Sequence, residues 1–424
     1  MGWKAFVAGG VLCGVVAGFV SGRLHRTAAA LIGAAVVLLT GVVSQQQAFS
    51  HIDLNVLALL CGMMVIVAAL RPTGFFEWLA IRTAKLAGGD PLKIMVLFAL
   101  VTAFVSAFLD NVTTILLTAP VSMAICAQLR IDPVPALIAQ AVASNFGGTA
   151  TLIGDPPNIL IGSAVNLSFN SFIINLGPLV VAVLAAYAVF LLLAQRKKVG
   201  YVSASLRARL LEMDEKRAIR DPKLLKKMGA LLACVLAAFF LHEILDVKMG
   251  AIAIAGAAAS MLISAKSVRE LLSEIEWDTI FFFIGLFIVV GAAEETGLLA
   301  WLGKNVLTLA GTHPAVVGLV VMWSTAAISA FIDNIPVTAV MIPLIKAFQK
   351  QHGGGEGLWW ALALGVCFGG NATIVGAAAN VVVTGIAERS GYHLSFARFA
   401  KHGTPVTAAA LAIASVYVLL RYFL

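Results

Sequence analysis

Charge is what this sequence has least of. Asp, Glu, Lys and Arg together make 12% of its 424 residues, about half the usual share of a soluble domain. With 61% hydrophobic residues and a mean hydropathy of +0.98, that scarcity excludes a soluble globular protein. Cysteine is sparse too: Cys13, Cys61, Cys126, Cys234 and Cys367 stand singly inside apolar segments, with no CxxC and no even framework. They read as small buried hydrophobes, and no disulfide scaffold or thiolate cluster follows from them. The seven histidines fall mostly near the ends of apolar runs, which argues against a metal site. There is no GxxxxGK[ST], HExxH or GxSxG, so the chain does not read as an ATPase, a zinc hydrolase or a serine hydrolase; it is expected to be no enzyme and to need no cofactor. The net charge of +8 comes from residues between apolar runs, which is a topology signal and not a nucleic-acid patch.

Lipid is therefore the solvent for most of the chain. Apolar runs near 5–20, 28–43, 54–70, 172–194, 229–243, 249–265, 278–293 and 404–422 approach the ~20 residues an α-helix needs to cross ~30 Å of hydrocarbon. The first run has one Lys before it and no small-residue cleavage pattern, so it is read as a span and not a signal peptide.

The sequence also matches itself at an offset of about 223 residues. Thr73, Gly74 and Trp78 pair with Thr296, Gly297 and Trp301, and Gly62 with Gly285. Ser106-Ala107-Phe108-Leu109-Asp110-Asn111 returns as Ser329-Ala330-Phe331-Ile332-Asp333-Asn334. After one residue of slippage, Gly147-Gly148-Thr149-Ala150-Thr151 pairs with Gly369-Gly370-Asn371-Ala372-Thr373, Gly154 with Gly376, and Asn158 with Asn380. Such a repeat is a common feature of secondary transporters.

The expected fold is an all-α polytopic membrane protein of two inverted-topology repeats, with about 10 spans, two re-entrant hairpins and two broken helices. The first repeat covers 1–194, with its hairpin at 94–127 and broken helix at 134–166. A linker covers 195–228, and the second repeat covers 229–424, with its hairpin at 315–348 and broken helix at 358–388. Five crossings and one hairpin per half turn the second half upside down relative to the first. Placing the linker in the cytoplasm, with both termini outside, puts 23 of the 29 lysines and arginines inside, including Arg23, Arg26 and the run Arg196-Lys197-Lys198. Leu206–Glu212 within the linker reads as a surface helix joining the repeats.

The chemistry is expected at the interruptions. Asp110-Asn111 and Asp333-Asn334 lie in the middle of apolar stretches too long for one span and too short for two joined in water. Gly147-Gly148-Thr149 through Asp155-Pro156-Pro157-Asn158, and its copy from Gly369 to Asn380, must break a helix. Broken backbone at membrane depth survives where it lines a cavity or is packed in protein, and its helix ends offer free N–H and C=O groups to a cargo. Asp110, Asp333 and Asp155 then lie at membrane depth, where a carboxylate usually marks an ion or proton path. Each also reads as a helix N-cap, most plainly Asp155 before Pro156. Ser106, Ser329, Thr113, Thr338, Asn145 and Asn371 serve equally well to satisfy helix backbone.

At these residues the chain resembles the ArsB/NhaD branch of the ion transporter superfamily, which includes arsenite efflux pumps, sodium/proton antiporters and the melanosomal P protein. The resemblance rests on the Phe-Leu-Asp-Asn and Gly-Gly-Thr-Ala-Thr-Leu-Ile-Gly-Asp-Pro-Pro-Asn strings and their repeats, and spans essentially the whole chain. It implies alternating access of the elevator type, a homodimer and, for an arsenite pump, an ATPase partner subunit. Anion symporters of the superfamily typically carry Ser at the hairpin tips, where this chain has Asp110 and Asp333, and Ala377 stands where the first half has Asp155. Added carboxylates favour a neutral or cationic cargo.

The leading expectation is proton-coupled efflux of arsenite or antimonite, a small inorganic substrate, across the cell inner membrane. Asn111, Thr113, Gly147, Gly148, Thr149, Asn158, Asn334, Gly369, Gly370, Asn371 and Asn380 would bind the cargo, and Asp110, Asp333 and Asp155 the protons. The alternative is a sodium/proton antiporter, and a weaker third is a sodium-coupled anion symporter.

Overall fold

The computed structural model describes residues 2–21, 24–195, 202–306, 311, 313–353 and 355–424. Arg23 and the basic run Arg196-Lys197-Lys198 lie outside the described residues. Among the described residues the chain is helical throughout, with no strand. The first half is built from α1 (Trp3–Ser21), α2 (Arg26–Leu39), α3 (Gln45–Ser50), α4 (Leu54–Leu70), α5 (Phe75–Leu86), α6 (Pro91–Ser106), α7 (Asn111–Leu129), α8 (Val134–Thr149), α9 (Pro156–Val165) and α10 (Phe169–Gln195). After α11 (Ala204–Glu212) the same order returns: α12 (Pro222–Leu245), α13 (Met249–Ile263), α14 (Val268–Ser273), α15 (Trp277–Glu295), α16 (Leu298–Val306), α17 (Pro314–Ser329), α18 (Asn334–His352), α19 (Gly357–Gly369), α20 (Ala378–Arg389) and α21 (Phe396–Val418).

Among the described residues six helices, α10, α12 and α15 included, are long and apolar enough to cross a membrane, and shorter apolar helices accompany them. Their apolar residues run all round the helix, the pattern of a helix that meets lipid or protein on every side. Their exposed side chains are accordingly oily: Ile244, Leu262 and Leu193 lie on the outer surface. Such a surface is stable only in hydrocarbon.

The two halves interlock reciprocally. α2 packs on α15, and their counterparts α13 and α4 pack on each other. Both crossings are close because a glycine faces backbone: a Cβ at Gly62 would stand 2.6 Å from the Ala253 carbonyl, and one at Gly285 would stand 2.7 Å from the carbonyl carbon of Ala30. Without lipid-excluding pressure between helices, such small-residue contacts supply the association. Phe146 and Phe368, equivalent positions in α8 and α19, meet edge to face at 5.0 Å, which marks the axis relating the halves.

Each half also turns twice inside the fold. α6 and α7 meet at Asp110, and α17 and α18 meet at Asp333. α8 is separated from α9 by residues 150–155, and α19 from α20 by an irregular stretch through residue 377. The open backbone of both breaks is tied down alike. Thr151 Oγ1 donates to the Ala107 carbonyl and Thr373 Oγ1 to that of Ala330, fastening each break to its hairpin. Asn158 Nδ2 donates to the carbonyls of Thr149 and Thr151 at 3.1 and 2.8 Å, and Asn380 Nδ2 donates to those of Gly370 and Thr373 at 2.8 Å each.

The connecting segment folds back on one face. Leu210 of α11 and Val202 enter a small apolar cluster with Ala84, Phe98 and Leu129, and Glu215 pairs with Lys85 and Arg82. The hydrogen bond from Lys85 is the main reason the Glu215 carboxyl is held down to about 2.

Gly62→Ala and Gly285→Ala should each lower stability by about 1–3 kcal/mol, the usual range for overpacking. Gly14→Ala, in open space on α1, should be neutral or slightly stabilising. Thermal unfolding in detergent measures all three; equal behaviour of the set would contradict the glycine-mediated crossing.

Candidate functional site

Four helices begin at one narrow cavity. Its lining includes Asn111 and Val112 at the start of α7, Pro156 of α9, Asn334 and Ile335 of α18, and Ala378 of α20. Each start presents unpaired backbone N–H groups and the positive end of a helix dipole. Three carboxylates, Asp110, Asp155 and Glu276, share the cavity with one guanidinium, that of Arg26.

The three aspartates singled out from sequence do different things. Asp110 caps α7 through the Thr113 N–H at 2.9 Å, and Asp333 caps α18 through the Ile335 N–H at 3.1 Å. Asp155, the one whose Pro neighbour argued most for capping, makes no cap hydrogen bond. Its oxygens accept instead from both hairpin tips: from Asn111 Nδ2 at 3.3 Å to Oδ1, and from Asn334 Nδ2 at 3.3 Å to each oxygen. Asp155 is fully buried, and its equivalent in the second half, Ala377, is apolar. A twofold frame thus holds a single central carboxylate.

Amides extend the centre across the halves. Asn111 Nδ2 donates also to Asn145 Oδ1 at 3.1 Å, and Asn145 Nδ2 donates to Asn371 Oδ1 at 2.9 Å and Asn380 Oδ1 at 3.1 Å. The equivalent of Asn145 is Cys367, whose Sγ lies 3.7 Å from Asn158 Oδ1. Among the described residues, Nδ2 of Asn371 is buried without a hydrogen-bond partner.

Other sequence candidates have structural employment. Gly147 and Gly369 meet backbone rather than the cavity: a Cβ would stand 2.0 Å from the Ala103 carbonyl oxygen and 2.5 Å from Ala326. Gly148 and Gly370 pass close to the carbonyls of Gly154 and Gly376 across the two breaks. Thr149 Oγ1 donates to the Asn145 carbonyl of its own helix at 2.7 Å, and Thr113 is outside the cavity lining. These glycines and threonines shape the site, while Asp110, Asn111, Asp155 and Asn334 line it.

Three residues of the site are not legible from sequence: Arg26, which reads as one more basic residue at a span end, Thr279 and Glu276. Arg26 Nη1 pairs with Asp333 at 3.0 Å, Nη2 donates to Thr279 Oγ1 at 3.2 Å, and the guanidinium sits 5.4 Å from the Phe282 ring centroid. Thr279 in turn donates to Glu276 at 3.1 Å. The signal available was a difference between halves: the position equivalent to Arg26 is Met249, and among the described residues only the second hairpin tip has a cationic partner.

Comparisons with known proteins agree with this architecture. The profile of the CitMHS family, described as citrate transporter, matches residues 16–365. An uncharacterized transporter of Mycobacterium tuberculosis is 45% identical over 412 residues, 95% of each chain. The P protein of Homo sapiens is 31% identical over 500 residues, covering 98% of this chain and 60% of its own. Among solved structures, the Alcanivorax borkumensis YdaH transporter superposes with a TM-score of 0.62 at 16% identity, covering 88% of this chain and 86% of that one, a likeness of fold.

Arg26→Met leaves Asp333 without its counter-charge and should cost about 2–3 kcal/mol; adding Asp333→Asn, which can still cap α18, should restore most of it. A double variant as unstable as the sum of the singles would contradict the pairing.

Proposed function

The chain belongs to the CitMHS citrate transporter family and is a multi-pass membrane transporter, and on that premise we propose that it couples cargo movement to protons bound at Asp155. The observation that carries this reading is the hydrogen bonding of one buried carboxylate by the tips of both hairpins. Protonation removes the charge that both amides hold, so one proton alters the contacts of both hairpins at once. That is the kind of differential contact an alternating-access cycle requires.

For cargo, the balance of charge is the guide. With three carboxylates and one arginine around it, the cavity suits a neutral or cationic solute better than a free tricarboxylate. We assign it to proton-coupled efflux of arsenite or antimonite as neutral hydroxylated species, held by the amides of Asn111 and Asn334. Sodium/proton antiport is the second reading, favoured by the same carboxylates and by the carbonyl oxygens of the breaks. Asp110 serves as a second proton site, and Asp333, tied to Arg26, as a latch. The linker face is cytoplasmic and both termini are outside in this scheme, with the inner membrane as its location. The ion pairs Lys266–Glu274, Arg71–Glu274 and Arg398–Asp132, together with the linker clasp on Lys85, support one basic face.

Expression in cells lacking their own arsenite and sodium exporters tests the assignment. Growth on arsenite is expected to be rescued. Rescue on sodium alone would transfer the function to sodium/proton exchange, and citrate uptake with neither rescue would overturn both readings.

A further inference from the structure

α7 carries a file of buried polar side chains of which the second half repeats only the first. Asn111, Thr114, Thr118 and Ser122 recur at helical spacing along α7, and all four are buried. Both ends of the file bond to α8: Asn111 to Asn145 at 3.1 Å, and Ser122 Oγ to Gln140 Oε1 at 3.3 Å. The file therefore lies in the α7–α8 seam and covers about 16 Å at ~1.5 Å per residue, half the thickness of the hydrocarbon. Its inner end is the amide that holds Asp155, and its outer end points toward Arg130 and Asp132, the face where the linker docks.

Polar side chains in a membrane helix often satisfy themselves on their own backbone, and Thr118 and Ser122 do donate to the carbonyls of Thr114 and Ala119. Two others do not. Thr114 Oγ1 and Gln140 Nε2 are buried with no hydrogen-bond partner among the described residues. Unpartnered polar atoms in a core cost stability, and a bound water is the usual remedy.

The second half shows that the fold does not need them. The equivalents of Thr114, Thr118 and Ser122 are Val337, Met341 and Ile345, and in the α19 register of the break the equivalent of Gln140 is Leu362. The same two helices there keep Asn334 and Thr338 as the buried polar residues of α18 but are apolar at those four positions, in the half that has Ala377 in place of Asp155. Thr114, Thr118, Ser122 and Gln140 thus occur with the central carboxylate in one half and are replaced together with it in the other.

We propose that the α7–α8 seam is the proton path between Asp155 and the linker face. Thr114, Thr118, Ser122 and Gln140 hold a chain of water; the carboxylic acid of Asp155 gives its proton to the first water, and the last releases one to the aqueous face. The hydroxyls and amides orient the waters and are not themselves ionised. This path rests on the proton-coupled reading of Asp155.

The test uses the full-length protein in vesicles with an internal pH dye, driven by arsenite or by sodium, whichever moves protons in the wild type. Thr114→Val and Gln140→Leu install the residues the second half already accommodates. The double variant is expected to lower cargo-driven proton flux at least roughly tenfold, about 1.4 kcal/mol of barrier, while arsenite-for-arsenite or sodium-for-sodium exchange continues at the wild-type rate. Unchanged proton flux in the double variant would overturn the path and leave the transport reading intact, and so would an equal loss of both activities. Wild-type protein that moves neither proton with cargo would overturn the reading beneath it.

Discussion

Backbone that leaves the helix inside hydrocarbon must find its hydrogen-bond partners within the protein, and this requirement organises the whole molecule. The two breaks and two hairpin turns open several peptide groups at membrane depth, where each unsatisfied one costs several kcal/mol. The protein answers with short polar side chains. Thr151 and Thr373 fasten each break to its hairpin, Asn158 and Asn380 collect the carbonyls that the breaks release, and Asp110 and Asp333 close the hairpin tips. Four helix N-termini then face one another across a cavity because those anchors hold them there.

Function follows from where the two halves stop matching. The architecture is duplicated, so a substitution in one copy stands out against the other. Asp155 against Ala377 and Arg26 against Met249 fall on the cavity, Asn145 against Cys367 falls next to it, and the polar α7 positions against Val337, Met341 and Ile345 lead away from it. The frame supplies a symmetric scaffold, while the differences supply one carboxylate, one cation and one polar seam.

Much of this was legible in the sequence, and the rest was hidden for identifiable reasons. The repeat showed because glycine, proline and paired Asp-Asn are hard to place by chance, and the hairpin tips and breaks showed as interruptions in apolar runs. What the halves do to each other did not show. Asp155 looks like a cap beside Pro156, and only the arrival of Asn334 from 179 residues away shows that its oxygens are used elsewhere. Arg26 looks like one more basic residue at a span end, and its pairing with Asp333 spans 307 residues. Gly147 and Gly369 look like flexible cargo-binding backbone, but their lack of a side chain is used to admit Ala103 and Ala326. The motif strings reached the superfamily, because all its branches must solve the same backbone problem; the citrate transporter family was not visible in them.

The central claim is that Asp155 carries the coupling proton. Its most direct test is the proton-to-cargo ratio of Asp155→Asn in vesicles, with arsenite as cargo and Asp110→Asn for comparison. An asparagine keeps the volume and can still bond to Asn111 and Asn334, so the fold should persist. The account predicts that Asp155→Asn moves cargo with no accompanying proton, or does not move it at all, while Asp110→Asn retains a measurable proton flux. A wild-type ratio in Asp155→Asn would contradict it.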